Sequence, residues 1–136
     1  MPETIFHSVA AQAEQHPNAV ALEAPGRKPL TYTRLRDQMG YVVEVLNSHC
    51  IGRGDRVAVV LPGGSDLATV SLGVLAGATL APLNPEFKLT EFEYLLDSLD
   101  AKLLITQAGL DSPARAAAQT KRIAIVELAA TSESIA

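Results

Sequence analysis

The sequence predicts an α/β fold: a doubly wound, mostly parallel sheet flanked by helices, with a small antiparallel hairpin near the N-terminus. Three observations predict it. Arg56–Leu61 (RVAVVL) is a short, β-branched, nearly continuous apolar run, as expected of a strand covered on both faces. Such runs alternate along the chain with segments whose apolar residues recur at helical spacing, the pattern of βαβ units in a parallel sheet. Proline and glycine punctuate the junctions, most clearly at Pro62-Gly63-Gly64.

Taken in order, residues 4–15 place Phe6, Val9, Ala10 and Ala13 on one helical face, with Thr4 available as N-cap and His16-Pro17 as the stop. Asn18–Glu23 reads as a short strand. Ala24–Pro29 turns it into Leu30-Thr31-Tyr32, closing the hairpin. Thr33 to about Ser48 is the clearest amphipathic helix: Leu35, Met39, Val42, Val43 and Leu46 form its apolar stripe, while Arg34, Arg36, Asp37, Gln38 and Glu44 face water.

Ile51–Asp55 leads into the central strand at 56–61. Beyond Pro62-Gly63-Gly64, Ser65 or Asp66 can cap a helix whose inner face is Leu67, Val70, Ser71, Val74, Leu75 and Ala78. Gly73 and Gly77 lie on one side and admit another backbone, read here as a strand. Leu80–Pro85 is the next strand and its exit, and the crossover joining the two strands is expected to be right-handed.

Thr90 and Glu93 have the spacing of a capping box, with Leu89 able to staple against Tyr94, and that helix buries Phe92, Leu95, Leu96 and Leu99. Lys102–Thr106 is a third core strand, Ser112–Thr120 an Ala-rich helix and Arg122–Leu128 a fourth strand. Residues 129–136 form a tail expected to fray.

At 136 residues the chain has room for one domain of ordinary size, expected to be a single subdomain spanning 1–136. Net charge is −4 and no Lys/Arg cluster exists, which argues against nucleic acid as a partner. The single cysteine, Cys50, excludes an intramolecular disulfide and is expected to be a small buried residue. The N-terminus has no basic region of a secretory signal, and the apolar run 67–83 is too short and interrupted to span a bilayer. A cytoplasmic setting is the expectation.

No catalytic constellation stands out. Pro62–Ser65 could meet an anion at a helix N-terminus, but it has no following lysine and matches neither G-x-x-x-x-G-K-[ST] nor G-x-G-x-x-G. A tight βα turn accounts for it. Arg53-Gly54-Asp55 is an adhesion tripeptide in composition and a turn before a buried strand in context. His7, His16, His49 and Cys50 lack the converging spacing of a metal site, and Cys50 lacks the partners of a nucleophile. Asp66, Glu91, Glu93, Asp97 and Asp100 are explained as caps and solvated faces, with Asp97 and Lys102 placed to pair weakly.

Several pieces, in order and spacing, resemble a known superfamily. Gly-Asp-Arg-Val-Ala-Val at 54–59, Gly-Val-Leu-Ala-Gly-Ala at 73–78 and Ala-Pro-Leu-Asn-Pro at 81–85 resemble the N-terminal subdomain of adenylate-forming (AMP-binding) acyl- and aryl-CoA synthetases. Leu30–Leu35 upstream, with Glu91–Asp97 and Ala101–Ile105 downstream, continue the likeness over residues 4–106. Asn84-Pro85 followed by Glu91-Phe92-Glu93 is most similar to the oxalate–CoA ligase branch.

The resemblance implies an enzyme that joins a carboxylic acid to AMP using ATP and Mg²⁺, then passes the acyl group to coenzyme A. The family's phosphate loop ending in Pro-Lys-Gly, its adenine motif, its ribose-binding Asp and its catalytic Lys have no counterpart in these 136 residues; Thr131–Ser134 lacks the glycines and the lysine. No catalytic, cofactor-binding or metal residue is therefore carried over. The chain is expected to be an N-terminal piece, inactive alone, with the remainder of the enzyme as partner and a homodimer through an exposed apolar patch as a further possibility. For the whole enzyme a peroxisomal location stays open. Two alternatives stand beside this reading: a free-standing binding or dimerisation module, and an unrelated flavodoxin-like nucleotide-binding domain.

Overall fold

A computed structural model describes residues 5–23 and 29–128. Thr4, the turn at 24–28, the tail at 129–136 and the side chains of Ser65 and Asp66 lie outside the described residues. The elements in order are α1 (Ile5–Gln15), β1 (Val20–Leu22), β2 (Leu30–Thr31), α2 (Tyr32–Ser48), β3 (Arg56–Val59), α3 (Ser65–Gly77), β4 (Thr79–Pro82), α4 (Leu89–Ser98), β5 (Leu103–Gln107), α5 (Ala114–Thr120) and β6 (Ala124–Leu128). All the expected helices and strands are present. The described residues form two compact units: one takes those up to Cys50 and Gly63–Gly77, the other Ile51–Pro62 and Ala78–Leu128.

The first unit is helical, with a two-stranded antiparallel sheet of β1 and β2. Thr31 ends β2 and caps α2, its hydroxyl accepting from Arg34 N at 3.3 Å. Thr33 ties the start of α2 to the end of α1, donating from its hydroxyl to the Pro17 carbonyl at 2.9 Å. Val9, Leu30, Leu35 and Met39 form the buried cluster, with Phe6, Tyr32 and Leu72 packed around it.

The Gly73/Gly77 side of α3 receives α2, so the close approach is helix on helix rather than the helix on strand expected. A Cβ built on Gly73 would lie 2.6 Å from Val42 Cβ, inside any permitted contact. At Gly77 the nearest atoms, from Val43 and Leu46, stand at 3.6 Å, an ordinary contact. The inner face of α3 also differs from expectation: Thr69, Val70 and Val74 are buried, while Leu75 is 43% exposed.

The second unit holds a four-stranded, all-parallel sheet in the order β4-β3-β5-β6. In sequence order that is 2-1-3-4, so the chain winds one way from β3 to β4 and then crosses back to build the other side, which makes it doubly wound. Ala58, Val60 and Leu104 share a core with Phe92 and Leu96 of α4 and Ala114, Ala117 and Ala118 of α5. Alanines on α5 let that helix lie close to the sheet. Phe87 meets Phe92 edge-on, ring centroids 5.8 Å apart.

Helix α4 starts one residue before the expected capping box. Its N-cap is Lys88, whose N–H donates to the Glu91 carboxylate at 2.9 Å, so Glu91 rather than Glu93 reaches back. Tyr94 and Leu89 are both exposed and form no buried staple.

Helices α2, α4 and α5 are each followed, one residue after the C-cap, by a non-glycine residue with positive φ: Cys50 (59°), Asp100 (50°) and Arg122 (59°). After α4, Ala101 N donates to Leu96 O (3.1 Å) and Asp100 N to Asp97 O (3.0 Å). After α5, Ile123 N donates to Ala118 O (2.9 Å) and Arg122 N to Gln119 O (3.1 Å). Both sets are Schellman closures, which ordinarily use glycine at this position.

Two stability changes are expected from urea unfolding. Gly73→Ala loses about 1–3 kcal/mol by overpacking. Adding Val42→Ala gives only partial relief, because it removes the Cγ1 and Cγ2 contacts at 2.9 Å but keeps the Cβ contact at 2.6 Å, whereas Val42→Gly recovers more of the loss. Arg122→Gly gains roughly 0.5–1 kcal/mol by relieving the left-handed conformation.

Candidate functional site

In an open α/β sheet the natural ligand position lies outside the carboxyl ends of the strands, where the winding reverses. Here that place is between β3 and β5. The edge is formed by Val60-Leu61-Pro62 after β3, Leu83-Asn84 after β4, and Gln107 at the end of β5 with residues 108–110 beyond it.

Several of its polar groups are engaged with the protein itself. Thr106, 1% exposed, donates from its hydroxyl to the Val60 carbonyl at 2.9 Å, directly across the β3–β5 junction. One residue position supplies the matching backbone bond, from Val60 N to Ile105 O at 2.9 Å. On the β4 side the Asn84 side chain accepts from Glu86 N at 2.9 Å, and Phe87 N donates to the Asn84 carbonyl at 3.1 Å. These bonds form a tight turn leading into α4.

On the β6 side Arg115 of α5 organises the loop. Its guanidinium donates to the carbonyls of Leu110 (2.9 Å) and Gln107 and pairs with the Glu127 carboxylate of β6. Gly109 gives that loop its positive φ of 81°. One planar fork thus fixes the exit of β5 against β6, a task for which lysine lacks the geometry.

The other sequence candidates sit elsewhere or have local duties. Gly64, φ 135°, accepts the first bond of α3 from Ala68 N at 3.1 Å, the βα turn expected for Pro62–Ser65. Gly52 N donates to the Asp55 carboxylate at 2.8 Å, and Thr79 donates to the Arg53 carbonyl at 2.7 Å. The Arg-Gly-Asp turn therefore lies at the amino ends of the strands, away from the candidate edge.

Cys50 is exposed, not buried: it occupies the left-handed position after α2, outside any core. His7, His16 and His49 are likewise exposed, and no group of three or more metal-ligating side chains occurs among the described residues. Asp97 pairs with Lys121 (3.5 Å) and Lys102 with Asp100 (3.3 Å), in place of the expected Asp97–Lys102 pair. Sequence reasoning missed Thr106 and Arg115. A threonine closing an apolar strand was the available signal for the first; nothing local announced the second.

The AMP-binding enzyme family profile matches residues 9–135. The chain belongs to the AMP-binding enzyme family. It is 36% identical over 116 residues to the oxalate–CoA ligase of Arabidopsis thaliana, covering 84% of this chain and 23% of that protein. Tyrocidine synthase 3 of Brevibacillus parabrevis is 31% identical over 109 residues, covering 79% of this chain and 2% of that protein. The crystal structure of apo MatB from Rhodopseudomonas palustris superposes with a TM-score of 0.80 at 22% identity, over 95% of this chain and 26% of that one.

The chain thus spans between 2% and 26% of the lengths of these relatives. AMP-binding membership meets the resemblance read from residues 54–59, 73–78 and 81–85, and it removes the reading as an unrelated flavodoxin-like domain. No helix among the described residues is long and apolar enough to cross a membrane.

Substituting Arg115 tests the organisation of this edge. Arg115→Met is expected to lose about 1.5–3 kcal/mol in urea unfolding, since its bonds are charge-assisted. Amide exchange at 108–111 should accelerate, and Arg115→Lys should restore less than half of the loss.

Proposed function

We propose that this chain is the N-terminal part of an ATP-dependent carboxylic acid–CoA ligase. The complete enzyme would join an acid to AMP with release of pyrophosphate, then transfer the acyl group to the thiol of coenzyme A. The observation that carries this reading is the family match over 9–135 together with 36% identity to an oxalate–CoA ligase. The chain's own contribution is structural: a parallel sheet whose carboxyl edge, closed by Thr106 and braced by Arg115, would buttress one wall of the acid pocket.

The residues present do not fit ATP. The turn after β3, Pro62–Ser65, has no adjoining lysine to offset phosphate charge. Thr106, Asn84 and Arg115 all serve the protein's own backbone. On this reading the phosphate loop, the catalytic Lys and the sites for Mg²⁺ and coenzyme A lie in the remainder of the enzyme, and this chain by itself does not catalyse.

The test is an oxalate-dependent ATP–pyrophosphate exchange assay on the 136-residue chain and on the polypeptide isolated from its native source, with the intact mass of the latter. The isolated chain should give no exchange. The native polypeptide should be several times heavier than 14.4 kDa and form an acyl-CoA from some carboxylic acid. Exchange by the short chain overturns the inactivity. A native mass of 14.4 kDa overturns the ligase reading and leaves a free-standing binding module.

A further inference from the structure

We draw no further inference here: the strongest candidate, the surface patch of Arg56, Lys102, Lys121 and Arg122 at the amino ends of the parallel strands, has its two lysines paired with Asp100 and Asp97, and nothing in the structure shows what covers it.

Discussion

Strand β3 has a parallel neighbour on each side, and that position constrains everything around it. A strand buried on both faces cannot turn to water for any hydrogen bond, so its donors and acceptors must be met from β4 and β5. Val57, Ala58 and Val59 are wholly buried. Their carbonyls and amides are met in the two ladders, and the buried carbonyl of Val60 just beyond β3 is met by the Thr106 hydroxyl. An apolar side chain at 106 would leave that carbonyl unpaired in the interior. The short run of β-branched residues is therefore inseparable from the threonine on the next strand but one in the chain.

A different constraint governs the helical unit. Helices α2 and α3 approach until one Cβ has no room, and glycine at 73 is the sequence's answer. The apolar stripe of α2 serves two surfaces: Leu35 and Met39 join the cluster with Val9 and Leu30, while Val42 and Val43 meet the glycine side of α3. In both units small residues do the positioning. Glycine does it between α2 and α3, and alanine does it where α5 meets its core.

Most of the architecture was legible because the periodicities are strong. The alternation of apolar runs with helical stripes located every element to within a few residues, and Gly73 and Gly77 announced a close approach, though not what would fill it. Other features depend on partners far away in sequence. Arg115 reads as a solvated residue in an alanine-rich helix until β6 brings Glu127 beside it. The cap of α4 was misplaced because Thr90 and Glu93 satisfy the usual pattern, while the turn around Asn84 delivers the chain so that Lys88 N meets Glu91 first. The sequence reads Cys50 as a buried residue, because a helix ending without glycine gives no hint of a left-handed exit. The candidate edge was foreseeable from fold class alone, but its occupation by structural bonds was not.

That left-handed exit leaves Cys50 on the surface just beyond the end of a seventeen-residue helix, and it is the sole sulfhydryl in the sequence. A maleimide dye or nitroxide would attach there alone, without removal of competing thiols. The backbone at that point is tied to the last turn by the bond from Cys50 N to Asn47 O, so the reporter's anchor is fixed relative to α2. The protein thus carries a ready-made spectroscopic position on its helical unit.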